Sequence, residues 1–201
     1  MRHRQHRLVL AASLIFAAIP TFPWIGAAGM RIAVQADPPR LSWSVFRRVD
    51  SIPGSSEQAR IAAEMSFPQP LKIERSGDGR YRLPAFAITV APEPTRTMAR
   101  RSASLSDSLL RHEQGHYDIV VLAARALARE LESMTASSAE ALTRWVEDSV
   151  TKHTARAARL SEAYDRKTQH GSETTEQEHW IERIRAALED PGPAVLQGLP
   201  L

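Results

Sequence analysis

Two histidines four residues apart, with a glutamate directly after the first, are the residues of this sequence best suited to chemistry. They are His112, Glu113 and His116, in the stretch "LLRHEQGHYDI". Side chains four apart on a helix project from adjacent turns of one face, so two imidazoles at this spacing can converge on one metal ion. Glu113 would emerge beside them, within reach of a water bound to the ion. This H-E-x-x-H arrangement is typical of zinc peptidases, in which the glutamate is the general base.

The motif lies on a predicted helix that begins near Ser104, where Ser104 and Asp107 form a capping pair. Apolar residues and both histidines recur on one stripe of this helix: Leu105, Leu109, His112, His116, Val120, Ala123, Leu127 and Leu131. Gly115 costs about 1 kcal/mol relative to alanine inside a helix. Its presence there indicates that another group approaches the backbone closely.

Two more helices are predicted after a short break at residues 135–138. Ser137 and Glu140 form a second capping box, and the stripe of the second helix is Leu142, Val146, Val150, His153, Ala157, Leu160 and Tyr164. The first two helices should form an antiparallel hairpin. A third helix, at about residues 175–189, should turn Trp180, Ile184 and Leu188 inward and stop at "DPGP".

The segment before the helices carries strand signals from residue 40 to residue 95. Alternating apolar residues at 61–67 and a hairpin turning at residues 77–79 predict strands with one buried face. After Pro84 the alternation shifts by one residue, which predicts a bulge, and the proline itself predicts an edge strand. The sequence therefore predicts an α+β fold, in which a small N-terminal antiparallel sheet (residues 40–95) packs on a helical part (residues 104–189).

The N-terminus has the order of an export signal. A basic "MRHRQHR" precedes the apolar run "LVLAASLIFAAI", whose twelve residues are fewer than the roughly 20 that a membrane-spanning helix needs. We expect residues 1–28 to be a signal peptide; an uncleaved anchor that continues to Met30 is the alternative. Residues 29–39 are expected to be a linker, residues 40–190 one domain and residues 191–201 a flexible tail. The predicted location is periplasmic or secreted, with no stable membrane span after cleavage.

Charge and cysteine content restrict the function further. Removal of residues 1–28 takes away three arginines and no acid, so the formal net charge falls from +3 to 0. A mature chain without net positive charge has no overall field that would attract nucleic acid. The sequence contains no cysteine, so packing rather than disulfides must hold the exported fold, and a metal site must use nitrogen and oxygen ligands.

A zinc site of this kind needs a third protein ligand. The helical hairpin places the motif opposite the part of the second helix between His153 and Asp165. His153 lies on the apolar stripe and is expected to be a buried spacer, whereas Asp165 could reach the ion as a carboxylate. His170 could do so if the second helix ended soon after Asp165 and the chain folded back, and Gly171 offers that ending.

A family resemblance bears on this choice. The run "HEQGHYDI", followed by "YDRKTQHG" at residues 164–171 and then by Gln177 and Trp180, resembles the family of predicted bacterial secreted zinc-dependent proteases. The earlier "LSWSVF" is also similar, so the likeness spans about residues 41–184. The resemblance implies a zincin-like site with His170 as the first choice for third ligand. Asp165 is then either the alternative ligand or an outer group that orients a metal-bound imidazole.

The expected function is therefore that of an exported zinc peptidase. Glu113 would be the general base, and an edge strand would hold an extended peptide or protein substrate by main-chain hydrogen bonds. Tyr164 could donate a hydrogen bond to a developing oxyanion or be a core residue. A non-catalytic envelope protein, with a structural metal site or a partner-binding role, is the alternative. A metal-dependent amidase acting on cell-wall peptides would share the same site. The sequence does not predict an oligomeric state.

Overall fold

The computed structural model describes residues 32–190 and two short strands beyond them. The elements in chain order are β1 (Ile32–Ala36), a 3-10 helix (Trp43–Val45), β2 (Arg47–Val49), β3 (Ala59–Arg60), β4 (Ala63–Ser66), β5 (Glu74–Arg75), β6 (Tyr81–Arg82), β7 (Phe86–Pro92), β8 (Met98–Arg100), α1 (Asp107–Ser133), β9 (Thr135–Ala136), α2 (Ala139–Thr168), α3 (Thr174–Glu189), β10 (Val195–Leu196) and β11 (Leu199–Pro200). The predicted signal peptide lies outside the described residues. Of the predicted tail, only the antiparallel pair β10 and β11 is described.

The strands before α2 form three small sheets. Their strand orders are β1-β7-β4, β2-β8-β3 and β5-β6-β9. In the first two, the central strand has one parallel and one antiparallel neighbour, whereas the third sheet is antiparallel throughout. The predicted α+β class is confirmed, but the sheet part is mixed rather than purely antiparallel. The alternation of side chains indicates which residues share a face and carries no information on strand direction.

The segment predicted as a linker, residues 29–39, instead contains a strand. Ile32–Ala36 form β1, which pairs in parallel with the first five residues of β7. Ile32 is buried in the core, and its N–H donates a hydrogen bond to Oε1 of Glu132 at the end of α1. The domain therefore begins at least eight residues earlier than residue 40.

The hairpin around Gly79 is present, with β5 and β6 as its two strands. Gly79 has φ +81°, a left-handed conformation that glycine adopts without steric cost. After Pro84 the chain leaves the sheet of β6 and enters β7, the central strand of another sheet. The shift in alternation therefore marks a change of sheet rather than a bulge. Pro84 precedes the strand and does not make it an edge.

Helix α1 is the centre of the fold. One of its faces packs on the sheets, where the Tyr117 hydroxyl donates a 2.7 Å hydrogen bond to the carbonyl of Val90 in β7. The opposite face packs on α2 and α3 through a second apolar cluster: Ile119, Leu122, Ala123, Ala126, Ala157, Leu160, Tyr164, Trp180 and Ile184. The helix begins after Ser106, whose Oγ accepts from the Leu109 N–H. This is two residues beyond the predicted cap.

Helices α2 and α3 follow the predicted pattern closely. Ser138 rather than Ser137 caps α2, and its Oγ accepts from the Ala141 N–H. Six residues of the predicted α2 stripe are buried: Leu142, Val146, His153, Ala157, Leu160 and Tyr164. Strand β9 lies in the connection between α1 and α2 and pairs with β6, which ties the helical hairpin to the sheet part. Among the helices of residues 32–190, none combines the length and apolar character that a bilayer span requires.

Candidate metal centre

Helix α1 presents the two motif histidines side by side towards α2. The His112 side chain is 4% exposed and that of His116 is 15% exposed. Their Nε2 atoms lie 3.3 Å apart, and the two rings are almost perpendicular, with an interplanar angle of 89°. The four-residue spacing thus brings one ring nitrogen of each histidine to the same point, as side chains on adjacent helical turns are expected to do.

Helix α2 brings Asp165 to that point. Its Oδ1 atom lies 3.1 Å from Nε2 of His112 and 2.9 Å from Nε2 of His116. The three atoms form a nearly equilateral triangle with sides of 2.9–3.3 Å. The antiparallel hairpin therefore places Asp165 level with the motif. One carboxylate oxygen is aimed at both imidazoles rather than at either one alone.

His170 reaches the same carboxylate through a sharp change of chain direction. Helix α2 ends at Thr168, and Gln169, His170 and Gly171 are left-handed, with φ of 48°, 54° and 85°. The His170 N–H donates to the Asp165 carbonyl, and this turn brings the His170 Nδ1 to 3.3 Å from Asp165 Oδ1. Ligand atoms of His112, Asp165 and His170 all lie within 4.8 Å of one another. Asp165 and His170, the two candidates for third ligand, therefore both lie beside the motif histidines.

The other two histidines of residues 32–190, His153 and His179, do not belong to this cluster. His153 is buried on α2, and its Nε2 lies 2.9 Å from Oε2 of Glu130 on α1. It therefore lies between the helices, as expected of a spacer. His179 is exposed on α3.

The charges at the site are arranged around Asp165. Burial opposes ionisation of this residue, but hydrogen bonds from His112 and His116 outweigh it and hold the pKa of the carboxyl well below its usual value. Burial lowers the pKa of the His112 imidazole. Burial also acts against the charged form of His116, yet its hydrogen bond to Asp165 and that carboxylate's charge raise its pKa. The site thus combines an ionised carboxylate with imidazoles that a cation could bind in place of protons.

The donor set fits a zinc ion. Zinc binds histidine nitrogen and carboxylate oxygen at about 2.0–2.2 Å in a tetrahedral arrangement, which separates neighbouring ligand atoms by about 3.3–3.5 Å. The distances of 3.3, 3.1 and 2.9 Å among His112, His116 and Asp165 come close to that value, and so does the 3.3 Å from Asp165 to His170. Within residues 32–190, the buried Nδ1 of His112 has no hydrogen-bond partner. Its other nitrogen is thus the one engaged at the centre.

Glu113 is buried beside this cluster, with 3% of its surface exposed. Its Oε2 accepts a 2.7 Å hydrogen bond from the N–H of Ile61, in the short segment between β3 and β4. Burial raises the pKa of Glu113 to about 7, although the charge of His116 acts in the opposite direction. A cation on the adjacent imidazoles would favour the carboxylate form, which is the form a general base needs.

Besides Ile61, the sheet part brings Glu57 to the site, and the sequence pattern revealed neither residue. Glu57 lies in the serine-rich segment before β3, and its Oε1 is 3.9 Å from Nδ1 of His170. It also pairs with Arg60 at 2.9 Å. Neither Glu57 nor the Ile61 N–H carries a motif or a periodicity that could have placed it here. Only the packing of the β3–β4 segment against α1 does so.

Comparison with known proteins identifies the family. The sequence model of a family described as bacterial proteins of unknown function (DUF922) matches residues 68–171, just over half of the chain. The chain belongs to this family. The matched segment contains all four candidate ligands, whereas Glu57, Ile61 and helix α3 lie outside it. No significant match was found among curated proteins or among solved structures.

In this DUF922 protein, the glycine inside the motif is explained by Tyr164. A Cβ added at Gly115 would lie 2.6 Å from the Tyr164 hydroxyl oxygen and 2.7–2.8 Å from two ring carbons. The prediction of a close approach at Gly115 is therefore confirmed. The Tyr164 ring stacks on His112, with centroids 4.8 Å apart and planes 20° from parallel. Its side chain is fully buried. These contacts favour the packing role for Tyr164, and the oxyanion role stays a prediction.

Proposed function

We propose that this protein is an exported zinc-dependent peptidase that hydrolyses peptide bonds. The observation that carries the proposal is the convergence of three donor atoms, from His112, His116 and Asp165, within 3.3 Å of one another. A buried glutamate follows the first histidine on the same helix. A set of nitrogen and oxygen ligands with an adjacent carboxylate is the arrangement that zinc hydrolases use.

His112, His116 and Asp165 would hold the ion. The distances favour Asp165 over His170 as third ligand, because Asp165 Oδ1 lies within 3.1 Å of both motif nitrogens. This reverses the order of the two residues that the family resemblance implied. The His170 side chain is 59% exposed, compared with 25% for Asp165. His170 therefore lies on the solvent side of the centre, where a substrate would approach.

The chain's own residues would then carry the proton transfers. Zinc in such a site supplies Lewis acidity, which lowers the pKa of water and polarises a carbonyl group. Glu113 accepts the proton of the attacking water and later donates it to the leaving amine. The hydrogen bond from the Ile61 N–H fixes the orientation of the Glu113 carboxylate. Tyr164, stacked on His112, limits the rotation of that imidazole.

An extended peptide has a suitable docking edge next to Glu113. Strands β3 and β4 each lie at the edge of a sheet within residues 32–190, and Ile61 connects them. Unpaired main-chain groups along an edge strand can bind a peptide as an added strand. In the connection itself, the N–H groups of Ile61 and Ala62 already donate to Glu113 and Thr97. The edge position of β3 and β4 supports the expectation of an edge strand at the site. The strand concerned is in the β3–β4 segment, not the strand after Pro84.

The decisive experiment compares Glu113→Gln with the wild type. Glutamine keeps an oxygen that can accept from the Ile61 N–H but cannot serve as a base. We expect purified mature protein to bind about one zinc, and Glu113→Gln to keep the zinc while losing at least about a hundred-fold in peptide hydrolysis. Glu147→Gln, at an exposed position of α2, is the matched control and should keep full activity. Full activity of Glu113→Gln would refute the mechanism.

A second candidate function is a structural metal site in a non-catalytic envelope protein. The observation that favours it is the fourth protein donor, His170, because structural zinc sites are closed by four protein ligands and catalytic sites keep one position open. In a closed site, the wild type would show no hydrolysis. The His170→Ala substitution would open the coordination shell and lower the thermal stability of the metal-bound protein. Hydrolysis of an unfolded protein by the wild type would exclude this candidate.

The proposed substrate is a peptide or protein outside the cytoplasm. The basic and apolar runs of residues 1–28 support export. N-terminal sequencing of protein recovered from the periplasm would test it, with cleavage expected after Ala28. A cell-wall peptide would use the same centre, so hydrolysis should be measured on both unfolded protein and peptidoglycan fragments.

A further inference from the structure

We propose that Gln177 of α3 is a positioning residue for the metal centre. With metal bound, its Oε1 would accept a hydrogen bond from Nδ1–H of His112 and so hold this imidazole in the tautomer that presents Nε2 to the metal. The inference rests on the proposed zinc site and adds to it a residue that lies outside the H-E-x-x-H motif and outside residues 68–171.

The first observation is a pair of complementary buried atoms. Within residues 32–190, Nδ1 of His112 and Oε1 of Gln177 are both buried and both without a hydrogen-bond partner. A buried polar atom without a partner is unfavourable, so two complementary atoms beside the same glycine are rarely both left unsatisfied. When His112 binds a metal through Nε2, its Nδ1 carries the proton. One atom is then a donor and the other an acceptor.

The second observation is that Gly171 brings the two side chains together. A Cβ added to Gly171 would lie 2.8 Å from Oε1 of Gln177 and 3.1 Å from Cγ of His112, the ring atom bonded to Nδ1. Gln177 and His112 therefore press on the same side of one glycine. Gly171 also has φ +85°, a conformation that favours glycine. The turn that delivers His170 thus also leaves the space in which Gln177 meets His112.

The third observation is that the amide of Gln177 is already oriented. Its Nε2 donates a 3.1 Å hydrogen bond to the carbonyl of Ser108 in the first turn of α1. Gln177 is 2% exposed, so water does not compete for its oxygen from the surface. With the amide nitrogen committed to Ser108, the amide oxygen is directed away from it and is free to accept from the imidazole.

Metal-bound histidines generally donate their second ring N–H to an acceptor, and loss of that acceptor lowers metal affinity by about 10–100-fold. The neutral amide oxygen of Gln177 would fix the His112 imidazole without adding a negative charge on its Nδ1 side. Asp165 supplies the negative charge on the opposite side of the ring. Gln177 would therefore set the orientation and tautomer of His112, and Asp165 the electrostatics.

The test measures zinc affinity of the mature protein by competition with a chelator. Gln177→Leu removes both polar atoms and should weaken zinc binding about 10–100-fold. Gln177→Glu keeps the acceptor and loses the donor to Ser108, so it should bind zinc within about threefold of the wild type or more tightly. The matched control is Gln114→Leu, which removes two hydrogen bonds of 2.7 Å from a glutamine on α1 whose partners are the Leu41 N–H and the Asp118 carboxylate. It should leave zinc affinity unchanged.

A second readout follows the proton itself. In the zinc-loaded wild type, the nitrogen NMR spectrum of the histidines should contain a protonated, slowly exchanging Nδ1 for His112, and this signal should be lost or shifted in Gln177→Leu. Equal zinc affinity in Gln177→Leu and wild type, with that signal intact, would overturn the inference while leaving the zinc site standing. Failure of the wild type to bind zinc would overturn both.

Discussion

Substitution of Gly115 by alanine tests the packing beside the candidate metal centre. In an ordinary helix this change is stabilising, because alanine gains about 1 kcal/mol of helix propensity over glycine. Here the new Cβ would lie 2.6–2.8 Å from three atoms of Tyr164. The Tyr164 ring cannot easily withdraw, because it is fully buried between His112 and Trp180, with ring centroids 4.8 and 5.4 Å away.

The magnitude follows from these two opposing effects. Ordinary contact begins at 3.4 Å, so the ring or the helix must move by about 0.8 Å. Overpacking of a dense core costs about 1–3 kcal/mol, and the upper half of that range applies where rings block the retreat. After the helix gain of about 1 kcal/mol is subtracted, we expect the free energy of unfolding to fall by about 1–2 kcal/mol. For a domain of this size that lowers Tm by about 2–8 °C.

Urea unfolding of the metal-free protein and a thermal scan would measure this loss. The control is Gly77→Ala, because Gly77 has nothing within 4 Å of an added Cβ; its stability should stay within about 0.5 kcal/mol of the wild type. Zinc affinity should fall in Gly115→Ala as well, because a displaced Tyr164 ring also moves His112. A Gly115→Ala protein more stable than the wild type would refute the proposed contact between this ring and the helix backbone.

Three further predictions concern the residues around the centre. Tyr164→Phe removes a buried hydroxyl that has no hydrogen-bond partner within residues 32–190, so stability should be unchanged or rise by up to about 1 kcal/mol; a hundred-fold fall in kcat with zinc retained would instead assign this hydroxyl to oxyanion stabilisation. Asp165→Ala should lower zinc affinity more than His170→Ala in chelator competition, and the opposite order would restore His170 as the third ligand. Burial opposes ionisation of Glu130, but hydrogen bonds from its neighbours outweigh it and lower its pKa from 4.5 to about 2. The stability contributed by this carboxylate is therefore complete above pH 4.5 and lost as the pH falls towards 2. The free energy of unfolding of metal-free protein, measured with urea at several pH values in that window, should depend less on pH in Glu130→Gln than in the wild type. An equal pH dependence in the two proteins would contradict this role.

The helical part was predictable because periodicity acts over many residues. Twenty-seven residues of α1 and thirty of α2 repeat one apolar stripe, and an error of one or two residues at a cap does not move it. The hairpin of two such helices then brought Asp165 level with the motif without any knowledge of tertiary contacts. The close approach at Gly115 could also be predicted, because a glycine inside a long predicted helix lowers helix stability and so needs an explanation.

The sheet part could not be predicted to the same depth. Its strands are two to seven residues long, and parallel partners such as β1 and β7 lie about fifty residues apart in the chain. No local pattern records such a pairing. Glu57 and the Ile61 N–H reach the centre only because this sheet packs against α1. Residues that enter a site through long-range packing leave no spacing to be found in the sequence.

The end of α2 determines whether the centre exists before metal arrives. Asp165 sits in the last turn of a helix that is already packed against α1 and α3, and three left-handed residues then return His170 to the Asp165 carboxylate. Apolar packing and main-chain hydrogen bonds thus hold the donor atoms in place. A site ordered in advance loses little conformational freedom on binding. Zinc should therefore stabilise a protein that is already folded, in contrast to zinc-finger domains, whose folding depends on the metal.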